Sequence, residues 1–276
     1  MKDKPLLSII IVKYRAEDYL KQCLESLVLS IKYYVLRAET IVVDNDKENI
    51  GYGAGCNKGA KKARGKYLFF LNPDTIILKG TLKAMIDYME KNPQIGVLGP
   101  KIYKNFKKEK QLSFCRFPDP LTSLFVFSPI RSFWPDSPLF NHYVYSENKI
   151  DNGVLDVEAV AGAAILVRRD VFEKVAGFDE KFFLYFEEND LCRRIRKLGG
   201  RIVYFPEAEI VHFGDKSTID VEKASRTFKK SRFYFFRKHY GTLVALFTEG
   251  LARVLETLAT GGLKKRTNYG LLKTNN

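Results

Sequence analysis

Apolar and polar positions along this chain fall into blocks whose spacing alternates between that of a strand and that of a helix. Residues 7–12 form a β-branched apolar run, and residues 17–30 follow with Leu20, Cys23, Leu24, Leu27 and Val28 at helical spacing. Residues 40–43 repeat the strand pattern and end in Asp44-Asn45-Asp46. Tyr67-Leu68-Phe69-Phe70-Leu71 is an unbroken apolar run too short to span a membrane, of the kind a strand covered on both faces requires. Pro73 cannot donate to a ladder, so that strand ends there. Asn72-Pro73-Asp74 then reads either as a plain turn or as a carboxylate delivered to the sheet edge where α/β proteins collect ligands. The alternation predicts an α/β fold with a mostly parallel central sheet, right-handed crossovers and flanking helices.

Residues 49–59 form a glycine-rich loop running into a short helix. Its Gly51-x-Gly53-x-Gly55 spacing is not the dinucleotide fingerprint, and a flexible loop explains it as well as phosphate binding does. Helical spacing over 80–92 precedes a short strand at 96–100. From 101 to about 152 the pattern dissolves into Lys-rich, Pro-rich and aromatic text, read as an irregular insertion forming part of an acceptor site. Phe114, Phe117, Phe125, Phe127, Phe133 and Trp134 argue against a disordered linker there. Small residues over 157–168 let a backbone or ligand approach closely, and an aromatic run over 182–186 leads into a helix that Gly199-Gly200 ends.

With 276 residues, 46% of them hydrophobic and 28% charged, the chain can bury a sizeable core. The formal net charge of +14 calls for an anionic partner: nucleotide phosphates, an acidic membrane surface or nucleic acid. Four scattered cysteines and three histidines disfavour a zinc site or a disulfide framework. Lys13 and Arg15 cut the first apolar run short of a signal region, giving the expectation of a cytoplasmic protein.

Glu187, Glu188 and Asp190 crowd three carboxylates into four positions at a helix start. Helix-dipole capping accounts for one of them; the surplus repels, which raises a carboxyl pKa toward the range of a general base.

At these residues the chain resembles the family 2 glycosyltransferases, inverting enzymes of the GT-A fold, and within them the rhamnosyltransferase-like branch. The matching text is Ser8-Ile9-Ile10-Ile11-Val12, Val42-Val43-Asp44-Asn45, Asn49-Ile50-Gly51-Tyr52, Leu71-Asn72-Pro73-Asp74-Thr75, the stretch 183–191, Tyr204-Phe205-Pro206-Glu207-Ala208 and Val211-His212-Phe213-Gly214. The resemblance covers about residues 6–240 in order. It implies transfer of a sugar, expected to be L-rhamnose from dTDP-rhamnose, from a dTDP- or UDP-sugar donor to a surface polysaccharide or lipid-linked glycan. Donor contacts are implied at Val12, Tyr14, Asp44, Asn45, Gly51, Asn57, Asn72 and Asp74, with Asp44 accepting from the base ring N–H. Asp74 and His212 are implied to hold Mn²⁺ or Mg²⁺ against the diphosphate, imidazole suiting Mn²⁺ better. Asn72 stands where many members carry a further aspartate, and Arg15 where many carry asparagine. Glu188 matches the catalytic base, with Glu187 or Asp190 as alternatives.

The resemblance divides the chain into a GT-A catalytic domain over 1–215, with a donor half to 100 and an acceptor half from 101, and a basic helical extension over 216–276. Residues 223–240 interleave Lys and Arg with Phe and Tyr, and Leu243, Phe247, Gly250, Leu251, Val254, Leu255 and Leu258 mark an apolar helical stripe. Two readings stand for this extension: packing on the catalytic domain, or docking on the anionic inner face of a cell membrane. A basic nucleic-acid-binding protein and a sugar-nucleotide-binding module without catalysis are the alternative functions. Acidic strand ends repel phosphate unless a cation intervenes, so no nucleic-acid partner is expected.

Overall fold

The structure, a computed structural model, describes residues 4–128, 131, 134–135, 137–145, 153–214 and 221–260. Pro129, Phe133, the expected boundary at 215/216 and the end of the extension past 260 lie outside the described residues.

The first half builds as the pattern requires: β1 (Leu7–Lys13), α1 (Glu17–Tyr33), β2 (Ala38–Asp44), α2 (Tyr52–Ala60), β3 (Tyr67–Leu71), β4 (Thr75–Ile77), α3 (Thr81–Lys91) and β5 (Ile95–Tyr103). After the short strands β6 (Lys110–Gln111) and β7 (Phe114–Cys115) come α4 (Pro120–Val126) and α5 (Pro138–Tyr143). The strands β8 (Leu155–Asp156), β9 (Ala159–Val160) and β10 (Ala164–Arg168) lead to α6 (Arg169–Lys174), α7 (Glu187–Lys197) and β11 (Arg201–His212). Two helices close the described chain, α8 (Val221–Tyr240) and α9 (Thr242–Thr260). The region from 101 is therefore less irregular than expected: β5 runs on to Tyr103, and Phe114 is buried in the core.

The sheet runs β2-β1-β3-β10-β5-β11-β4, and it is mixed rather than mostly parallel. Strands β1, β2, β3, β5 and β11 share one direction, but β10 inserts antiparallel between β3 and β5, and β4 pairs antiparallel at the edge. Successive strand residues face opposite sides of the sheet. Ile9, Ile11, Tyr67, Phe69 and Leu71 pack with Leu20 and Cys23 of α1 and Met85 of α3. Ile10, Val12, Leu68 and Phe70 pack with Cys56 of α2, Phe172 of α6 and Leu191 and Ile195 of α7. Every residue of β3 is at most 1% exposed, which explains its continuous apolar text.

The helical extension packs on this body. Phe235 of α8 is fully buried with Phe182 and Phe186. Arg232 is buried too, bonded to Glu249 of α9 at 2.8 Å and to the Phe127 carbonyl. No helix among the described residues is long and apolar enough to cross a membrane.

Candidate active site

The shared strand direction puts the ends of β1, β2 and β3 at one edge of the sheet, next to the start of β10. At the first corner Lys13 reaches Asp46 at 2.9 Å and Asp44 at 3.4 Å, and the Asp46 N–H donates to Asp44 Oδ1 at 2.9 Å. Asp44 stays largely exposed and open to a ligand. Tyr14 follows Lys13 in sequence, with the Arg15 guanidinium 5.2 Å from its ring centroid.

The second corner forms after β3. The antiparallel register of β4 on β11 sets His212 opposite Thr75, so its imidazole meets the preceding Asp74. His212 Nε2 lies 3.3 Å from Asp74 Oδ1 and 3.3 Å from Asn72 Nδ2, while Nδ1 faces Gln111 Oε1 at 3.2 Å. The tautomer with Nδ1–H donating to Gln111 would leave the Nε2 lone pair aimed between Asn72 and the carboxylate, the arrangement a metal-binding histidine needs. Gln111, in the short β6, was not singled out from the sequence, because an isolated Gln in Lys-rich text carries no pattern. One carboxylate and one imidazole are a sparse donor set, and the described residues hold no group of three or more acidic, His or Cys ligands. They fit a divalent cation whose remaining ligands are the oxygens of a diphosphate.

The third corner is the start of α7. Tyr185 and Phe186 both take left-handed backbone angles, φ 71° and 68°, turning the chain sharply into the helix. Burial of Phe186 in the aromatic cluster with Phe182 and Phe235 holds that strained turn in place. Three carboxylates then diverge. Glu187 is 4% exposed, its Oε2 has no hydrogen-bond partner, and burial together with the neighbouring Glu188 pushes its pKa well up. Glu188 is only partly buried; it accepts from Asn189 Nδ2 at 3.0 Å, and loss of solvent raises its pKa too. Asp190 is fully buried. Burial alone would raise its pKa, but His239, Arg194 and Lys238 bring it down to about 2. Its Oδ1 meets Lys238 at 2.6 Å and His239 at 2.9 Å, and its Oδ2 meets Arg194 at 2.7 Å. Both Asp190 oxygens are held by cations, which suits a structural anchor better than a base.

The Gly162-Ala163 strap joins the second and third corners. The Ala163 carbonyl accepts from the Asn72 N–H at 2.9 Å, the Gly162 carbonyl accepts from the Tyr52 hydroxyl at 3.3 Å, and a Cβ on Gly162 would meet Glu188 Cγ at 3.6 Å.

Four residues expected to touch a donor have other work. Asn45 is 3% exposed; its amide donates to Asn49 and to the Gly51 carbonyl, and its oxygen accepts from Ile50. Gly51, at φ 92°, passes so close to the Phe183 carbonyl that a Cβ would lie 2.6 Å from it. Val12 packs under Gly55, and the Asn57 side chain is bonded to Phe178 and Glu180. These side chains shape the loop that borders the first corner.

The model of the family described as glycosyl transferase family 2 matches residues 42–176. Over 184 residues the chain is 29% identical to the N-acetylglucosaminyl-diphospho-decaprenol L-rhamnosyltransferase of Mycobacterium tuberculosis, an alignment covering 62% of this chain and 58% of that protein, under two thirds of its length. Over 272 residues it is 28% identical to rhamnosyltransferase WbbL of Escherichia coli K12, covering 84% of this chain and 94% of that one. Among solved structures, GalNAc-T7 with UDP, GalNAc and Mn2+ superposes with a TM-score of 0.49 at 14% identity, over 86% of this chain and 51% of that one, too low to carry an argument.

Proposed function

The chain belongs to glycosyl transferase family 2, and from that premise we propose that it is a metal-dependent inverting transferase, moving a sugar from a nucleoside diphosphate to an acceptor hydroxyl. The observation that carries this reading is the Gly162-Ala163 strap, with the Asp74–His212 pair at one end and Glu188 at the other. One end suits a diphosphate and the other an acceptor proton.

In this reading Asp44 accepts the ring N–H of a thymine or uracil, while Lys13 and the Asp46 N–H hold its carboxylate in place. Tyr14, next to Lys13 in sequence, is assigned to the same corner. A divalent cation, Mn²⁺ or Mg²⁺, held by Asp74 and His212 would neutralise the charge that develops on the departing diphosphate. Glu188 takes the proton from the acceptor hydroxyl as that oxygen attacks the anomeric carbon from the face opposite the diphosphate. A single displacement of this kind inverts the configuration. The raised pKa of Glu188 makes it a stronger base than an ordinary carboxylate, and its partial exposure lets an acceptor reach it. The more deeply buried Glu187 is the poorer candidate.

The two rhamnosyltransferase relatives support L-rhamnose from dTDP-rhamnose as the donor, and the printed name of the mycobacterial one supports a lipid-linked acceptor. Such an acceptor places the enzyme on the inner face of the cell membrane. The outward side of α9 supports that location, because Leu243, Phe247 and Leu258 are 83%, 69% and 74% exposed. In this reading the catalytic domain is 1–215 and the extension from 216 is the docking element.

The test is transfer from dTDP-rhamnose to a polyprenyl-diphosphate-linked N-acetylglucosamine with Mn²⁺ present. Glu188→Gln should lower kcat about a hundredfold to ten-thousandfold, the usual worth of a general base. Asp74→Asn should lose rate that added Mn²⁺ recovers only in part. Parental rates in both variants would overturn the assigned roles.

A further inference from the structure

Two cavities stand out beside the catalytic edge, and their linings differ in charge. One, of about 250 Å³, sets Arg116 and Arg193 against Asp119 and Glu158, so its cations are balanced by its own acids. The other, of about 430 Å³, is lined among the described residues by three lysines and by no acid.

This second cavity follows from helical spacing. Lys223, Thr227, Lys230 and Ser231 recur at i, i+4, i+7 and i+8 on α8 and so share one face. Opposite them stand Lys181, Phe183 and Asn49. The walls are fixed: the Ser231 hydroxyl donates to the Leu184 carbonyl at 2.7 Å, and the Phe183 carbonyl accepts from the Tyr52 N–H at 2.8 Å. The wall at Phe183 runs on within five residues to Glu187 and Glu188. Lys181 and Lys230, set among neutral hydroxyl and amide groups, suit a phosphorylated ligand.

We propose that this cavity seats the diphosphate of an acceptor carried as a glycosyl diphosphate, an inference that rests on the transferase reading above. The donor's own diphosphate has its place at Asp74 and His212, and neither of those residues, nor Asp44, lines this cavity. The volume suits a diphosphate with part of its sugar. The cavity lies along the segment that delivers Glu188, so an acceptor gripped there by its phosphates presents its sugar hydroxyl to the base.

The experiment titrates inorganic pyrophosphate into the full chain saturated with dTDP, which keeps the probe out of the donor corner. The parent should bind pyrophosphate. A Lys181→Gln, Lys230→Gln double variant, altered only at exposed side chains, should bind it about tenfold more weakly per lysine removed, each step equal to about 1.4 kcal/mol. Its melting temperature and dTDP affinity should match the parent's. In turnover, the preference for a sugar diphosphate acceptor over the same sugar as an octyl glycoside should fall by a similar factor. Unchanged pyrophosphate affinity, an unchanged preference, or an equal loss of dTDP affinity would overturn the proposal, the last by assigning the lysines to the donor. A chain that ignores dTDP yet binds pyrophosphate through these lysines would overturn the transferase reading and keep the anion site.

Discussion

Glu187 and Glu188 are neighbours in sequence and share a raised pKa, yet the helix turns them into different surroundings. Glu187 points into the packing around Gly53, Tyr52 and Cys56, with Oε2 unpartnered, an environment that favours the neutral acid. A folded-state carboxyl with a raised pKa binds its proton where the unfolded chain has released it, so it erodes stability as pH rises above the ordinary glutamate value. Glu187→Gln should therefore flatten that loss: thermal melts at pH 5 and pH 8 should differ less for the variant than for the parent. A variant as pH-sensitive as the parent would show that Glu187 is ionised in the fold. The acidic cluster was legible in the sequence because three carboxylates exceed what capping requires. Their separate roles were not, since these depend on Lys238 and His239, some fifty residues downstream.

At the scale of elements, those two cations make Asp190 the clasp between α7 and α8. Its pKa, held down to about 2, corresponds to about 2 kcal/mol of stability at neutral pH. The sign is that of a depressed acid: the contribution is complete above about pH 4 and disappears as pH falls toward about 2. Asp190→Asn should lower stability by about that amount in urea melts at pH 7, and the gap to the parent should narrow in acid. A constant gap across that window would contradict the clasp. The strands of the first half were legible because β1 and β3 are buried on both faces, and between them only Ser8 and the terminal Lys13 interrupt the apolar text. The direction of β10 was not. Direction depends on how the chain returns from β5, and residues 104–163 hold only short elements whose pairing leaves no period in the sequence.

For the whole molecule, the informative surface is α9, which shows its apolar stripe to solvent and turns its acids inward. Glu249 meets Arg232 at 2.8 Å and Glu256 meets Lys229 at 2.7 Å, so the outer face presents Arg253 and no carboxylate. The sequence continues into Lys264-Lys265-Arg266, beyond the described residues. An anionic bilayer matches that combination, with about 1 kcal/mol for each basic residue near its surface. A second copy of so basic a chain would meet like charge. The full chain should float with vesicles containing phosphatidylglycerol and stay behind with phosphatidylcholine alone, and Phe247→Glu with Val254→Glu should abolish flotation. Equal flotation with both vesicle types, or none, would rule this out. The stripe itself was legible; which way it faced was not, because that follows from the buried Arg232–Glu249 pair.

The place of β10 also governs how the molecule is made. Its two neighbours, β3 and β5, leave the ribosome some sixty residues or more before it, and neither pairs with the other. Until Arg168 has been synthesised, the first hundred residues hold two aromatic and aliphatic strands with bare edges, and bare edges invite pairing with other chains. Residues 1–100 are therefore not a folding unit in their own right. They wait for β10, and the Gly162-Ala163 strap that joins the corners of the site is completed in the same step.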